Sequence, residues 1–349
     1  MEYQKLGNTG LKIPPVIFGT SALGNLFTEL PYRTKYEIVT ECINNLEGPV
    51  LFDSAGKYGA GLALEVLGEN LEALEVSPKN VIISNKLGWF RKPLTTPEPT
   101  FEPGAWIGLK NDAEQRISYD GIMQCWEQGN KLLGGKYQPE MVSVHDPDEF
   151  LAVARDGLDW THRFGQIIEA YRALADLKKE GKVKAIGVGA KNWKIIRALA
   201  PEIDLDWVMF ANSMTILNHP ADLLKFMGEL YEEKIGIINS AVFHAGFLTG
   251  GRFFDYVPIE PDTDENRARF QWRKTFFGIC EKFGLLPAQA CVSFGMTPPG
   301  VISIALNTSD PKRVKENVQA VTAKVPPEFW REMVSQGLIE SSYPYLPQD

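Results

Sequence analysis

Four residues of the chain have side chains that suit proton transfer at a substrate oxygen: Asp53, Tyr58, Lys86 and His145. In the stretch FDSAGKYGAG (52–61), an apolar run ends on a carboxylate and a phenol follows between small residues. A phenol with a pKa of about 10 exchanges protons poorly at neutral pH, but a nearby lysine ammonium lowers that pKa. An aspartate can neutralise the buried ammonium, and a histidine can orient the substrate oxygen. Singly, each residue is more often structural, as in an aspartate turn, whereas the four together indicate catalysis.

Short apolar runs that alternate with helical patterns must position these residues. Such runs are typical of parallel strands covered on both faces. Asp53 ends the second run, Lys86 the third and His145 the fourth, and the carboxyl ends of barrel strands converge on one mouth. The runs are VIFGT (16–20), VLFD (50–53), VIISNK (81–86), MVSVH (141–145), VKAIGVG (183–189), WVMF (207–210), IGIIN (235–239) and VISIAL (301–306).

The segments between these runs carry helical patterns. Apolar spacing predicts helices over 62–74 and 166–179, and two further helices open at Pro287 and Pro311. Alternating strands and helices predict an α/β fold, a (β/α)₈ TIM barrel, with an open doubly wound sheet as the alternative. The start, YQKLGNTGLKI, predicts a β-hairpin before the first barrel strand. No repeat or linker divides the chain, so we expect a single domain over residues 1–349.

Two irregular segments, 87–117 and 249–265, are longer than ordinary βα loops. Loops of this length in compact domains are usually functional lids or disordered inserts. Because βα loops lie at the carboxyl ends of barrel strands, we expect both segments to border an active site.

The composition excludes several classes of partner. The 349 residues are 44% hydrophobic and carry a formal net charge of −8, which argues against a nucleic-acid or anionic-membrane surface. No apolar stretch approaches the ~20 residues of a membrane helix, and no signal peptide opens the sequence, so we expect a cytoplasmic protein. The four cysteines lack CxxC spacing and the four histidines lack an HExxH pattern, so we expect reduced thiols and no metal site.

The chain resembles the aldo-keto reductases over nearly its full length. The motifs that carry the resemblance are KLGNTGLKIPPVIFGT, FDSAGKYG, the strand ends SNK and VHD, LADLKKEGKVKAIGVG and DPKRVKENV. The resemblance implies that Tyr58 is the general acid or base and that Lys86 tunes its phenol. It also implies that Asp53 pairs with the lysine and that His145 positions the oxygen. An extended nicotinamide dinucleotide is implied as cofactor, and no GxGxxG opens a helix after a strand, as expected without a Rossmann domain.

The resemblance also assigns residues to this cofactor. Asn307 stands where NADP-preferring members commonly have lysine, which favours NAD, although NADP use is possible. GVGAKNW (187–193) lacks the family's usual Ser-Asn pair, so Asn192 is expected to replace it, and Ser240 is expected to meet the pyrophosphate. The other predicted cofactor residues are Gly19, Thr20, Asp53, Thr308, Arg313, Glu316 and Asn317.

GVGAKNW and AVFHAGFLTGG (241–251) resemble a sugar-oxidising subgroup of the family: L-fucose or D-threo-aldose 1-dehydrogenases, with L-galactose and pyridoxal dehydrogenases nearby. This resemblance implies oxidation of C1 of an aldose such as L-fucose to the lactone. Alternatives are a broad NADPH-dependent carbonyl reductase, a pyridoxal dehydrogenase and a non-enzymatic dinucleotide-binding regulatory subunit. The oligomeric state stays open. The predicted contacts to a sugar or carbonyl substrate are Phe27, Trp89, Trp106 and His244.

Overall fold

The structure is a computed structural model that describes residues 1–347. Its strands are β1 (Gln4–Lys5), β2 (Lys12–Ile13), β3 (Val16–Gly19), β4 (Val50–Ala55), β5 (Val81–Leu87), β6 (Trp89–Pro93), β7 (Asn111–Gln115), β8 (Met141–His145), β9 (Ala185–Ala190), β10 (Trp207–Ala211), β11 (Gly236–Ser240), β12 (Phe253–Phe254), β13 (Val257–Pro258) and β14 (Val301–Leu306). Its α-helices are α1 (Tyr32–Asn44), α2 (Leu62–Ala73), α3 (Tyr119–Leu132), α4 (Pro147–Ala152), α5 (Gly157–Lys179), α6 (Trp193–Leu199), α7 (Ala221–Glu232), α8 (Asp264–Lys282), α9 (Pro287–Gly295), α10 (Lys312–Val321) and α11 (Pro327–Ser335).

Eight parallel strands close into a barrel in the order β3-β4-β5-β8-β9-β10-β11-β14, with β14 pairing back to β3. The strand order follows the chain because helices connect successive barrel strands on the outside. Each of the eight predicted apolar runs supplies one of these strands. The predicted (β/α)₈ barrel is therefore confirmed.

The inward faces of the strands change from apolar to polar toward the mouth. Side chains two residues apart share a face, so β4 presents Leu51 and then Asp53 to the interior. On β5 the same face carries Ile82 and later Lys86, and β8 ends on His145. Leu51 and Ile82 belong to the apolar cluster inside the barrel. The alternation thus delivers charged groups only at the carboxyl ends of the strands.

The predicted N-terminal hairpin is confirmed and closes the opposite end of the barrel. β1 and β2 pair antiparallel, and Leu6 and Ile13 are fully buried in the barrel's inner cluster. A Cβ added at Gly7 would lie 3.1 Å from the carbonyl oxygen of Lys234, just before β11. The hairpin therefore seals the amino-terminal end of the barrel and leaves the carboxyl-terminal mouth for chemistry.

The two long segments contain antiparallel ribbons, which the prediction of irregular structure missed. In the first ribbon segment (89–115), β6 pairs with β7; in the second ribbon segment (253–258), β12 pairs with β13. The turn of the second has positive φ at Asp255 (47°) and Tyr256 (72°), as in tight hairpin turns. Strands β6 and β7 were not predicted because their sequences, WFRKP and NDAEQ, show no alternation of apolar and polar residues.

Helix α5 begins at Gly157 rather than at 166, the predicted start. Asp156 accepts a hydrogen bond from the Asp159 backbone N–H at 2.8 Å and caps the helix, while 157–165 lacks the apolar spacing used to find it. The predicted helices at 62, Pro287 and Pro311 begin within a residue of those positions. Within residues 1–347, no helix combines the length and apolarity needed to cross a membrane.

Candidate active site

Three of the predicted catalytic side chains form one hydrogen-bonded chain at the barrel mouth. Lys86 Nζ donates to Asp53 Oδ2 and, at 3.1 Å, to Tyr58 Oη. Asp53 and Lys86 are only 4% and 5% exposed, so their charges are neutralised by each other rather than by water. Ser84 Oγ donates to the other carboxylate oxygen, Asp53 Oδ1, at 3.1 Å. The arrangement fixes one hydrogen bond to the phenol oxygen and leaves its proton free for a substrate.

The small residues around Tyr58 let its loop pack against neighbouring backbone. A Cβ at Gly59, where φ is +63°, would lie 2.4 Å from the carbonyl oxygen of Gly24, in the turn that follows β3. A Cβ at Gly56 would lie 2.4 Å from the carbonyl oxygen of Trp89. Larger side chains at either glycine would push the loop away from these contacts. The glycines of FDSAGKYGAG therefore set where the phenol stands.

Burial, rather than Lys86, determines that the pKa of Tyr58 is shifted upward. Loss of hydration raises the pKa of the phenol above its usual value, and the Lys86 ammonium lowers it only in part. The prediction that the Tyr58 pKa is lowered is therefore wrong for this arrangement. The sequence shows the lysine but does not show how deeply the phenol is buried. The phenol is protonated at neutral pH, the form that donates a proton to a carbonyl oxygen.

His145 lies with its ring edge-on to Tyr58, with ring centroids 5.5 Å apart. Burial, followed by the nearby charges of Lys57 and Lys86, holds the pKa of His145 well below its usual value, so the imidazole is neutral. Its Nε2 lies 3.3 Å from Asp146 Oδ2. Its buried Nδ1 has no hydrogen-bond partner among the described residues. The structure thus brings all four predicted catalytic residues together and leaves one imidazole nitrogen of His145 unpaired among the described residues.

Several residues predicted to bind the cofactor near the strand ends already use their side chains in hydrogen bonds within the protein. Gly19 ends β3 at the mouth, and Ser240 ends β11, where its hydroxyl donates to the Phe210 carbonyl at 3.0 Å. Thr20 Oγ1 donates to the Asp53 carbonyl at 3.1 Å and lies 2.9 Å from Ser54 Oγ, so it joins neighbouring strands. Asn192 Oδ1 accepts from the Lys194 backbone N–H at 3.1 Å and caps α6. The cofactor roles of these residues stay predictions.

The residues predicted to hold the adenosine end lie after β14. Arg313, which is exposed, and Glu316 stand on α10, and Asn317 follows them there. Thr308 Oγ1 instead accepts from the Asp310 backbone N–H at 3.0 Å, which shapes the loop before the helix. Asn307 Nδ2 donates to Ser21 Oγ at 2.9 Å and links this loop to the one after β3.

A buried amide oxygen without a hydrogen-bond partner, at the barrel mouth, suits a nicotinamide cofactor. Asn212 follows β10 with φ of +61°, and its buried Oδ1 has no hydrogen-bond partner within residues 1–347. A carboxamide N–H is the type of donor that this oxygen lacks. Asn212 was not predicted from the sequence, although its place directly after a barrel strand is the kind of signal that selected Asp53 and Lys86.

Two of the four predicted substrate residues belong to an aromatic wall beside Tyr58. Trp106 lies with its ring centroid 5.9 Å from that of Tyr58, and Phe101 stacks behind it at 6.3 Å. Trp89 packs on Phe101 at 5.6 Å, and its buried Nε1 has no hydrogen-bond partner in the described part of the chain. Phe27 stands farther out and stacks on Phe253 at 5.1 Å. Phe27 thus connects the loop after β3 with the second ribbon segment.

His244 supports the second ribbon segment, which corrects its assignment to the substrate. Its Nε2 lies 2.8 Å from Thr215 Oγ1 and its Nδ1 lies 2.7 Å from Asp255 Oδ1. Its ring also stacks on Phe254 at 4.6 Å, and the side chain is 2% exposed. Both ring nitrogens are therefore engaged, and no face is left for a sugar. No cluster of three or more potential metal ligands occurs among residues 1–347.

Comparison with known proteins identifies the family. The model of the Aldo/keto reductase family matches residues 15–336. Pyridoxal 4-dehydrogenase of Microbacterium luteolum is 28% identical over 354 residues, covering 97% of this chain and 98% of that protein. D-threo-aldose 1-dehydrogenase of Pseudomonas sp is 26% identical, covering 95% and 96%. The holo form of aldo-keto reductase AKR11C1 from Bacillus halodurans has the same fold, with a TM-score of 0.69 at 18% identity over 98% of this chain and 97% of that one. The chain is a nicotinamide-dependent oxidoreductase and belongs to the aldo/keto reductase family.

Proposed function

We propose that the protein oxidises the C1 hydroxyl of a cyclic aldose such as L-fucose to the lactone, with NAD as its cofactor. The observation that carries this proposal is the assembly of Asp53, Lys86, Tyr58 and His145 at the barrel mouth. The similarity to D-threo-aldose 1-dehydrogenase supports a sugar as the substrate class. The aromatic wall beside Tyr58 supports it too, because apolar rings suit the C–H groups of a sugar ring.

In this proposal Tyr58 moves the proton. During oxidation its Oη takes the proton of the C1 hydroxyl, and Lys86 Nζ, 3.1 Å away, stabilises the phenolate that must form first. Asp53 keeps Lys86 charged: burial alone would lower the pKa of Lys86, but the carboxylate raises it above its usual value. In the reverse direction the protonated Tyr58 donates to the carbonyl oxygen.

The neutral His145 has the role of orienting the oxygen. Its unpaired ring nitrogen can hydrogen-bond the substrate oxygen while Tyr58 exchanges the proton. A bound nicotinamide ring supplies the hydride acceptor or donor. Asn212 is proposed to hold the nicotinamide carboxamide, Ser240 the pyrophosphate, and Arg313 and Asn317 the adenosine end. Thr20 would contribute through its backbone, since its hydroxyl is engaged.

The proposed preference for NAD rests on Asn307. The resemblance implies that a lysine at this position would pair with a 2′-phosphate, whereas the Asn307 amide carries no charge and donates to Ser21. NADP would bind here without that charge pair. A pyridoxal dehydrogenase is the alternative function that a separate observation favours. Pyridoxal 4-dehydrogenase of Microbacterium luteolum matches almost the whole chain at 28% identity. A flat pyridine ring would stack on the same wall of Trp106.

The test mixes purified protein with NAD or NADP and a panel of aldoses and pyridoxal, and separately with NADPH and simple aldehydes, and follows the absorbance of reduced nicotinamide. We expect NAD reduction with L-fucose-type sugars. Reduction of NAD only with pyridoxal would replace the sugar proposal, and NADPH consumption with simple aldehydes would favour the carbonyl reductase.

The Tyr58→Phe variant is the control for the assigned chemistry. It should bind NAD as the native protein does and lose about 10²–10⁴-fold in turnover, the range of general acid–base catalysis. Unchanged turnover would reject Tyr58 as the proton-transfer group. Cofactor binding without turnover of any substrate by the native protein would favour the regulatory subunit.

A further inference from the structure

A buried lysine next to Tyr58 has no part in the chemistry described so far. Lys57 is 3% exposed and lies in the loop between β4 and α2. Its Nζ lies 2.7 Å from Glu102 Oε1, 2.9 Å from Glu149 Oε2 and 3.0 Å from Asp146 Oδ2. An ammonium has three N–H donors, so one carboxylate is available for each.

One of these carboxylates belongs to the aromatic wall. Glu102 lies in the first ribbon segment, and its second oxygen, Oε2, accepts from Trp106 Nε1 at 2.7 Å. Trp106 in turn packs on the Tyr58 ring. Glu102 has φ of +45°, a left-handed conformation that non-glycine residues rarely adopt. The contact with Lys57 therefore fixes the side chain that holds the indole.

A second carboxylate belongs to the surroundings of His145. Asp146 follows β8 with φ of +48°, and its Oδ2 lies 3.0 Å from Lys57 Nζ and 3.3 Å from His145 Nε2. The lysine holds this oxygen beside the imidazole while its own charge opposes protonation of the ring. Without Lys57, the same carboxylate would be free to stabilise a protonated imidazole.

We propose that Lys57 is a positioning residue that couples the first ribbon segment to His145, so that the aromatic wall and the imidazole are placed by one ammonium. The proposal rests on the function given above. Three carboxylates around one buried cation explain why a lysine is required here. An apolar residue would leave Glu102 and Asp146 without the ammonium, whereas Glu149 would keep its pair with Lys191.

The electrostatic part of the proposal involves every charged group that faces His145. Burial lowers the pKa of His145 most, and Lys57, Lys86 and Lys191 lower it further, whereas Glu149 raises it. Asp146 lies in direct contact with the ring. Removal of Lys57 takes away a cation and releases the Asp146 carboxylate beside the ring, and both changes raise the His145 pKa.

The test compares Lys57→Met and Glu102→Gln with a matched control, Glu98→Gln, an exposed glutamate of the same segment with no ion pair to Lys57. We expect Lys57→Met to lower kcat/KM by about 10- to 100-fold, as for misplaced groups near a reacting centre. Glu102→Gln should mainly raise KM, because only the wall is released. The double variant should lose no more than Lys57→Met alone, since both changes break the same link.

Two readouts do not depend on turnover, so failure of this proposal can be told from failure of the proposed function. In histidine-labelled protein, which has only four histidines, the NMR titration of His145 should move to higher pH in Lys57→Met. Hydrogen exchange of residues 100–109 should quicken in Lys57→Met and Glu102→Gln but not in Glu98→Gln.

An unmoved His145 titration, or exchange in Lys57→Met equal to that of the control, would overturn the proposal. If Lys57→Met does not fold, Glu102→Gln and Asp146→Asn test the two links separately. Native exchange rates in Glu102→Gln, or an unmoved titration in Asp146→Asn, would then reject the corresponding link and with it the coupling.

Discussion

Replacing Asp53 with asparagine removes the counter-ion of a lysine that has almost no access to water. Lys86 is 5% exposed and donates to Asp53 Oδ2 and Tyr58 Oη. Removing one partner of a buried ion pair costs about 3–5 kcal/mol, because the other charge is left without compensation. The hydrogen bond to Tyr58 survives and offsets about 1 kcal/mol. We therefore expect Asp53→Asn to lower the free energy of unfolding by about 2–4 kcal/mol at pH 7.

The size of this loss should depend on pH in a defined direction. Without the carboxylate, burial dominates and the pKa of Lys86 in the folded variant falls below its unfolded value of about 10.4. Between these two values the unfolded chain binds more protons, so the stability of the variant rises with pH. Its deficit relative to the native protein should therefore shrink between about pH 7 and pH 10.

Urea unfolding followed by tryptophan fluorescence, at several pH values, measures this difference. The control is Glu37→Gln, which breaks the Arg33–Glu37 pair, whose side chains are 88% and 46% exposed. Exposed pairs contribute little, so this change should leave the unfolding midpoint unchanged at every pH. A loss below about 1 kcal/mol in Asp53→Asn, or a loss independent of pH, would refute the account of a desolvated pair.

Three further predictions concern proton transfer, the cofactor and the second ribbon segment. Because burial raises the pKa of Tyr58, oxidation should speed up from about pH 7 to pH 10 while reduction stays level; a plateau below about pH 9 contradicts this. Lys86→Met should displace the profile to still higher pH. Asn307→Lys should raise the NADP-to-NAD ratio of kcat/KM by about two- to fivefold, the value of one exposed charge contact, and an unmoved ratio means that Asn307 does not face the adenosine end. His244→Phe keeps the stack on Phe254 but loses the bonds to Thr215 and Asp255, so hydrogen exchange at 253–258 should quicken; unchanged protection would show that the stack alone holds the ribbon.

The barrel and three of the four catalytic candidates could be predicted because both depend on local signals. A buried parallel strand is a short apolar run, and a polar residue at its carboxyl end must face the mouth, as Asp53, Lys86 and His145 do. These positions follow from the fold without knowledge of any loop.

The loops and the electrostatics could not be predicted in the same way. Lys57 reads as a loop lysine in the sequence, and its three partners come from 102, 146 and 149, which only the folded chain brings together. The pKa of Tyr58 depends on a balance between burial and Lys86 that residue types alone do not weigh. His244 sits in a motif that suggests the substrate, but its partner Asp255 is reached only through a ribbon whose strands are two residues each.

The stack of Phe27 on Phe253 bears on how long a product stays bound. The two rings belong to the loop after β3 and the loop after β11, two barrel strands that only β14 separates, so the gap between those loops widens only when the rings part. An aromatic pair contributes about 0.5–1.5 kcal/mol beyond its buried area, which corresponds to roughly a twofold to tenfold shift in an opening equilibrium. If product release through this gap is slower than the chemical step, the separation of the two phenylalanines limits the turnover rate, and proton transfer at Tyr58 does not. A burst of reduced nicotinamide in the first turnover would then precede the steady rate.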